Sequence, residues 1–346
     1  MKGVLETYKD LLPLNGATPM VSLREGNTPL IPLDSIGGEL GVKLYGKYEG
    51  ANPTGSFKDR GMVLAVAKAL EAGAKGLICA STGNTSASAA AYGARSGLPC
   101  VVLLPAGNVA MGKLAQAMIY GARAVSVRGN FDKALELALR VAEGSGYAVV
   151  NSVNRYRLWG QRSGAWEICD ELGHPPDRLI LPVGNAGNIT AYWAGFVQYA
   201  RIGRSDGVPV MTGVQAEGAS PMVKGEPFDS PDTVATAIRI GRPVSARRAS
   251  WAARMSGGGF LAVSDEEILQ AQKKLASREG VFAEPASCAG IAGLFRLQAE
   301  GRLTAGEEIV TILTGNGLKD PDTVMAGLSM PVEVDADPAS IGEVLS

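Results

Sequence analysis

Four short polar segments, each containing glycine, carry the side chains of this chain that could do chemistry. The first is Asn52-Pro53-Thr54-Gly55-Ser56-Phe57-Lys58-Asp59-Arg60, which puts a lysine at the mouth of an apolar-periodic stretch. A helix N-terminus is positive, so it disfavours an ammonium there and lowers its pKa. A neutral lysine amine is a nucleophile and forms Schiff bases. Taken alone, the loop reads first as one bearing an ordinary surface lysine. The second segment is Ser81-Thr82-Gly83-Asn84-Thr85-Ser86. Its hydroxyls, amide and free backbone N–H groups suit a carboxylate or a ring oxygen, and a plain helix cap would need only one of them. The third, Gly184-Asn185-Ala186-Gly187-Asn188, lies between a strand and a helix. Two glycines let the backbone turn its N–H groups toward an anion at a helix N-terminus, which makes it a phosphate cradle. The fourth, Thr314-Gly315-Asn316-Gly317-Leu318-Lys319-Asp320-Pro321, follows the last strand and offers Thr314 as a neutral hydrogen-bonding partner.

These segments need strands and helices to hold them. From about 58 to 150 the pattern alternates cleanly. Helices are expected over 59–72, 84–96, 108–120 and 132–142, with apolar strands over 76–80, 100–104, 124–127 and 147–151. The alternation resumes with a helix over 157–172, a strand over 178–183, a helix over 188–201 and a strand over 209–215. Residues 220–259, rich in Gly, Pro, Ser and Arg, read as mostly irregular. Ser264-Asp265-Glu266-Glu267 is a capping box that opens a helix to about Arg278; a helix over 285–299 and a strand over 308–314 follow. Strands apolar on both faces and joined by helices mean parallel sheets covered on both sides. The first 50 residues, with a strand-like 42–49, fit neither α/β unit. In open parallel sheets, ligands bind at the carboxyl ends of the strands, where the polar segments fall.

Composition narrows the chemistry. The chain has 346 residues, 33 basic and 34 acidic, for a net charge of −1, which argues against nucleic acid and anionic membranes as partners. No apolar run is long enough for a transmembrane helix, and Glu6, Lys9 and Asp10 interrupt any signal-like start. The single histidine, His174, sits in a Gly-His-Pro-Pro turn and reads as solvated, which leaves no multi-histidine metal site and no familiar triad. Cys79, Cys100, Cys169 and Cys288 are scattered and apolar in setting, so they suit buried thiols in a reducing cytoplasm rather than zinc. Gly107 to Lys113 has the spacing of a P-loop, but Leu114 stands where a magnesium-binding hydroxyl is required. Neither Gly144-Ser145-Gly146 nor Gly257-Gly258-Gly259 has the context of a dinucleotide site.

Taken together, in order and spacing, the four segments resemble those of the tryptophan-synthase-β-like family of pyridoxal-phosphate enzymes, fold type II. The resemblance covers nearly the whole chain. It implies two open, mostly parallel twisted sheets with helices on both faces and the cofactor in the cleft between domains. Residues 1–50 plus 151–346 would form the larger domain, and 51–150 the smaller one. It also implies roles. Lys58 would bind pyridoxal 5'-phosphate covalently and act as the catalytic base, with Phe57 flanking the ring. Asn84 would face the phenolic oxygen, Gly184, Asn185, Ala186, Gly187 and Asn188 the cofactor phosphate, and Thr314 the pyridine nitrogen, left largely unprotonated by a hydroxyl partner. Ser81, Thr82 and Thr85 would take the substrate carboxylate; Lys113, Asn151, Ser152 and Arg157 would take a substrate phosphate. The implied reaction is a β,γ-replacement on O-phospho-L-homoserine by water. Dehydratases and cysteine synthases of the same family share the lysine and the cradle, and the second anion site is what separates them. Many relatives have His where this chain has Asn316. A cytoplasmic homodimer is the family expectation.

Overall fold

The computed structural model describes residues 2–106, 111–129, 131–325, 331–336, 341 and 344; of Met111 to Lys113, Phe131 and Asp132 it describes the backbone only. The chain opens with helix α1 (Val4–Thr7), strand β1 (Leu30–Pro32), α2 (Asp34–Leu40) and β2 (Lys43–Tyr48). Next come α3 (Lys58–Glu71), β3 (Gly76–Ala80), α4 (Asn84–Ser96), β4 (Cys100–Pro105), α5 (Met111–Ile119), β5 (Arg123–Val127), α6 (Phe131–Ser145) and β6 (Tyr147–Val149). The second half holds α7 (Arg155–Gln161), α8 (Ser163–Leu172), β7 (Arg178–Pro182), α9 (Gly187–Arg201), β8 (Val210–Ala216), α10 (Pro221–Lys224), α11 (Ala246–Met255) and β9 (Gly259–Val263). It closes with α12 (Asp265–Glu279), α13 (Pro285–Ala299), β10 (Glu308–Leu313) and α14 (Pro321–Met325).

Two sheets result, as the alternating pattern requires. One has the order β5-β4-β3-β6 and is parallel throughout. The other has the order β1-β2-β10-β7-β8-β9 and is parallel except for the β1 edge. Central strands such as β3 are buried along their whole length, so each needs helices on both faces. The first 50 residues supply β1 and β2 to the larger sheet, and α1 packs near α3.

Two sequence expectations fail locally. The helix over 157–172 is two helices, broken at Arg162, where the amide of Ala165 bonds back to the Arg162 carbonyl in a tighter turn. The segment 220–259 is less irregular than its composition implies. It contains α11, whose buried face is only Ala249, Ala252 and Ala253, too small a stripe to read against Arg247, Arg248 and Arg254. It also runs straight into β9, which has glycine as its first residue. By contrast, α6 loses helical geometry at Glu143 and Gly144, just beyond the end expected for it at 142.

Helices α3 and α7 form the seam beneath the candidate site. They cross with backbones touching: a Cβ at Gly61 would lie 2.5 Å from the Arg157 carbonyl oxygen, and one at Gly160 would collide with the Arg60 carbonyl. Around this seam runs a buried ionic cluster. Arg60 is wholly buried and bidentate to Glu49 (2.6 and 2.7 Å) and to Glu167 (2.6 Å twice), with Ser163 taking the fifth donor and the Thr28 hydroxyl sharing Nη2. Lys47 adds a second cation, 3.2 Å from Glu167. Burial pushes the Glu167 carboxyl up, but Arg60 and Lys47 outweigh it and hold it at about 2. Glu49 follows β2 and Glu167 lies on α8, so the cluster fastens the start of α3 to elements of the larger sheet.

Candidate active site

Lys58 is the first residue of α3, and two loops are zipped together to put it there. The Phe57 amide donates to the Thr314 carbonyl (3.0 Å), the Asn316 amide to the Gly55 carbonyl (2.9 Å), and Ser56 bridges to Gly315. Gly55 makes this turn at φ +83°, a conformation that costs glycine little. Asp59 locks the loop from below, accepting from the Thr54 amide (2.7 Å), the Thr54 hydroxyl (2.6 Å) and Ser88 (2.6 Å). The Lys58 ammonium lies 4.0 Å from the centre of the Phe57 ring. Its pKa is lowered to about 7, first by burial and then by the charge of Arg157, with Glu284 opposing. A large part of the amine is therefore neutral near pH 7 and fit to act as nucleophile or base. Burial and Arg157, rather than the helix dipole expected from the sequence, are the causes.

Arg157, on α7, is 2 % exposed. Its Nη1 donates to the Val150 carbonyl (2.7 Å) and its Nε has no partner. Among the described residues no carboxylate pairs with it, and burial lowers its pKa to about 10, against the pull of Cys79 and Asp59. A buried guanidinium without a counter-charge is costly, and an anion arriving beside it relieves that cost. Ser152 makes no hydrogen bond among the described residues and stays open to a ligand. Asn151 does not: its amide braces Ala80, accepting from that residue's N–H (2.9 Å) and donating to its carbonyl (2.8 Å). One amide hydrogen of Asn151 is left over. Lys113 falls on α5, but its side chain lies outside the described residues.

The cradle follows β7. Ala186 takes a left-handed conformation (φ +60°) to turn the chain into α9. Among the described residues, the N–H groups of Gly184, Asn185, Ala186 and Gly187 meet no acceptor, and both amide atoms of buried Asn188 are unpartnered. Unsatisfied donors at a helix N-terminus are an anion site. In the second segment, the Ser81 hydroxyl accepts from the amides of Gly83 (3.2 Å) and Ser86 (3.3 Å), while Thr82 and Thr85 make no side-chain hydrogen bond among the described residues. Asn84 opens α4 and sends its Nδ2 to both oxygens of Glu284, at 3.1 and 3.0 Å. Thr314, 4 % exposed at the end of β10, donates to Glu284 Oε1 (3.1 Å) and lies 3.0 Å from the Ser287 hydroxyl. Asn316 is structural: it accepts from the Leu318 amide (2.9 Å) and donates to the Tyr48 hydroxyl (2.9 Å).

Two residues at the site escaped the sequence reading. Glu284 joins Asn84 to Thr314, and its only signal was an acid directly before Pro285 at a helix start. Lys319 donates to the Thr54 carbonyl (3.0 Å) and to Gln116, so the last loop also grips α5. His174 is exposed, and all four cysteines are buried and free. Among the described residues, no group of His, Cys, Asp or Glu could hold a metal, and no helix is long and apolar enough to cross a membrane.

The residues present fit pyridoxal phosphate. Free N–H groups and the unpartnered Asn188 amide await its phosphate, a partly neutral lysine its aldehyde, and Asn84 and Thr314 two polar ring atoms. Comparison with known proteins agrees. The family described as "Pyridoxal-phosphate dependent enzyme" matches residues 21–315. A curated threonine synthase of Halalkalibacterium halodurans is 56% identical over 338 residues, 98% of this chain and 94% of that protein. One from Synechocystis is 53% identical over 345 residues, 97% of this chain and 90% of that protein. A solved maize serine racemase superposes with a TM-score of 0.76 over 94% of this chain and 97% of its own, at 20% identity, which supports the fold alone.

Proposed function

This chain belongs to the pyridoxal-phosphate-dependent enzyme family, and from that premise we infer that it is a threonine synthase, converting O-phospho-L-homoserine and water to L-threonine and phosphate. The observation that carries the substrate is Arg157, a buried, unpaired cation beside a partly neutral Lys58. The pair suits a molecule with a labile Cα proton at one end and a phosphate at the other.

The roles follow from that pairing. Lys58 Nζ would hold the cofactor by its aldehyde and, as a free amine, would take the Cα proton of the substrate. The bound cofactor supplies an electron sink for the bonds broken at the substrate. Phe57 would flank the ring, Asn84 would face its phenolic oxygen, Thr314 its nitrogen, and Gly184 to Asn188 would take the cofactor phosphate. Thr82 and Thr85, with the loop folded around Ser81, take the substrate carboxylate. Arg157 and Ser152 meet the leaving phosphate, with Lys113 and the spare amide hydrogen of Asn151. Placing positive charge where the leaving group gains negative charge lowers that barrier. Residues 51–150 act as a smaller domain that closes on the substrate against 1–50 and 151–346. The enzyme works as a cytoplasmic homodimer.

The test is incubation of the purified protein and pyridoxal phosphate with O-phospho-L-homoserine. Equal amounts of phosphate and L-threonine are expected. Phosphate with a 2-oxo acid and ammonia instead would assign a dehydratase.

A further inference from the structure

Glu284 lies 4 % exposed at the head of α13, and its carboxylate is shared. Asn84 Nδ2 reaches both oxygens, and the Thr314 hydroxyl reaches Oε1 at 3.1 Å. The fit is close: a Cβ at Gly315 would stand 2.6 Å from the carboxyl carbon. Two cations and two hydrogen-bond donors bear on its charge. Lys58 comes from α3 and Lys319 from the last loop, and both favour the carboxylate. Cys288, one turn into α13, keeps its thiol on the Glu284 backbone carbonyl at 3.6 Å. Burial outweighs the cations and the hydrogen bonds and raises the Glu284 pKa above the usual carboxylate range.

Thr314 has one hydroxyl proton and two neighbours that could receive it. When Glu284 is ionised, the proton points to the carboxylate, and only lone pairs face the cofactor. When Glu284 is protonated, it donates to Thr314, which is then free to donate onward. Ser287 does not compete for a fixed place: its oxygen is anchored by the Gly315 amide at 3.0 Å, and its own proton has the Gly315 carbonyl at 3.4 Å.

We propose that Glu284 and Thr314 form a proton relay to the pyridine nitrogen of the bound cofactor, with Asn84 holding the carboxyl in register. The inference rests on the reading that Thr314 faces that nitrogen. In the forward step the carboxyl proton passes from Glu284 Oε1 to Thr314 Oγ1. In the same step the Thr314 hydroxyl proton passes to the ring nitrogen. Glu284 becomes a carboxylate, the nitrogen gains one positive charge, and no electrons change hands. The return step restores both. A threonine alone keeps the nitrogen unprotonated; the relay lends it a proton when negative charge gathers on the ring.

The test uses holoenzyme loaded with pyridoxal phosphate labelled with nitrogen-15 in the ring. The nitrogen chemical shift is followed by NMR across neutral pH, and the carbonyl band of a protonated carboxyl by infrared difference spectroscopy. In the native protein both are expected to change in one shared step. Glu284→Gln keeps the bond from Asn84 and donates permanently to Thr314, so its nitrogen shift should stay at the unprotonated limit throughout. Glu284→Asp, which retains a carboxyl, should recover part of the step. A native nitrogen shift that stays unprotonated, or that moves without loss of the carboxyl band, overturns the relay, and neither result depends on a variant folding. So does a Gln variant that titrates like the native protein. A native protein that takes up no cofactor sinks the site reading itself, whereas a loaded protein with a flat shift sinks the relay alone.

Discussion

Arg60 and Arg157 are both buried, and their helices touch, yet they live opposite lives. Arg60 has two bidentate carboxylates, and Glu167 and Glu49 raise its pKa well above that of a free arginine in spite of burial. Arg157 has one carbonyl and a bare Nε, and burial lowers its pKa to about 10. A saturated buried charge is part of the frame. An unsaturated one stores a cost that only a ligand removes, so the two arginines separate architecture from chemistry within one pair of helices.

The widest break in that contrast should come from Arg60→Met. It leaves Glu49 buried without its cation and Glu167 with Lys47 alone, at about 3–5 kcal/mol, and denaturant unfolding should show a large drop in midpoint. A loss below 1 kcal/mol would deny the cluster its structural role. Acid should act on the same cluster. The Glu167 pKa is depressed to about 2, so its contribution is present above the unfolded value of 4.5 and is lost as pH falls through about 2. That makes stability decline between these limits by on the order of 3 kcal/mol, measurable as Tm against pH. Arg157→Ala should do the reverse of Arg60→Met. Stability stays level or rises, while kcat/KM for O-phospho-L-homoserine falls by about 100-fold, as expected when one charge-stabilising group is removed. Bleaching of the bound cofactor by this change would move Arg157 out of the substrate site. The smallest effect is on Lys58 itself. Apoprotein should capture pyridoxal phosphate faster as pH rises, with a midpoint of about 7. Arg157→Ala removes a positive neighbour, so the midpoint should move upward and capture at neutral pH should slow.

Much of this was legible before the fold was seen, and the residues show why. Strands β3, β4, β7 and β10 are apolar on both faces, and polar runs such as Ser81–Ser86 and Gly184–Asn188 interrupt an apolar pattern where ligands bind, so both stood out. Lys58, Asn84, Thr314 and Arg157 were found as members of such runs or through family resemblance. Glu284 lies outside every such run, and Lys319, though within the last one, has no role there, because a single charge at a helix start or in a loop looks like ordinary solvation until the partner arrives from 200 residues away. The bracing of Ala80 by Asn151 spans 71 residues and is invisible for the same reason. Helix α11 hid behind arginines and alanines, and the break at Arg162 behind a continuous apolar period.

The contact between Gly61 and Gly160 has a metrical consequence. Neither position has room for a methyl group, so α3 and α7 have no adjustable spacer between them. Lys58 stands three residues before one glycine and Arg157 three residues before the other. The separation of the two helices that carry the amine and the guanidinium is thus set by bare backbone. On the roles proposed for Lys58 and Arg157, the crossing would fix the span between them, and a phosphorylated amino acid one methylene shorter is expected to be a poorer substrate.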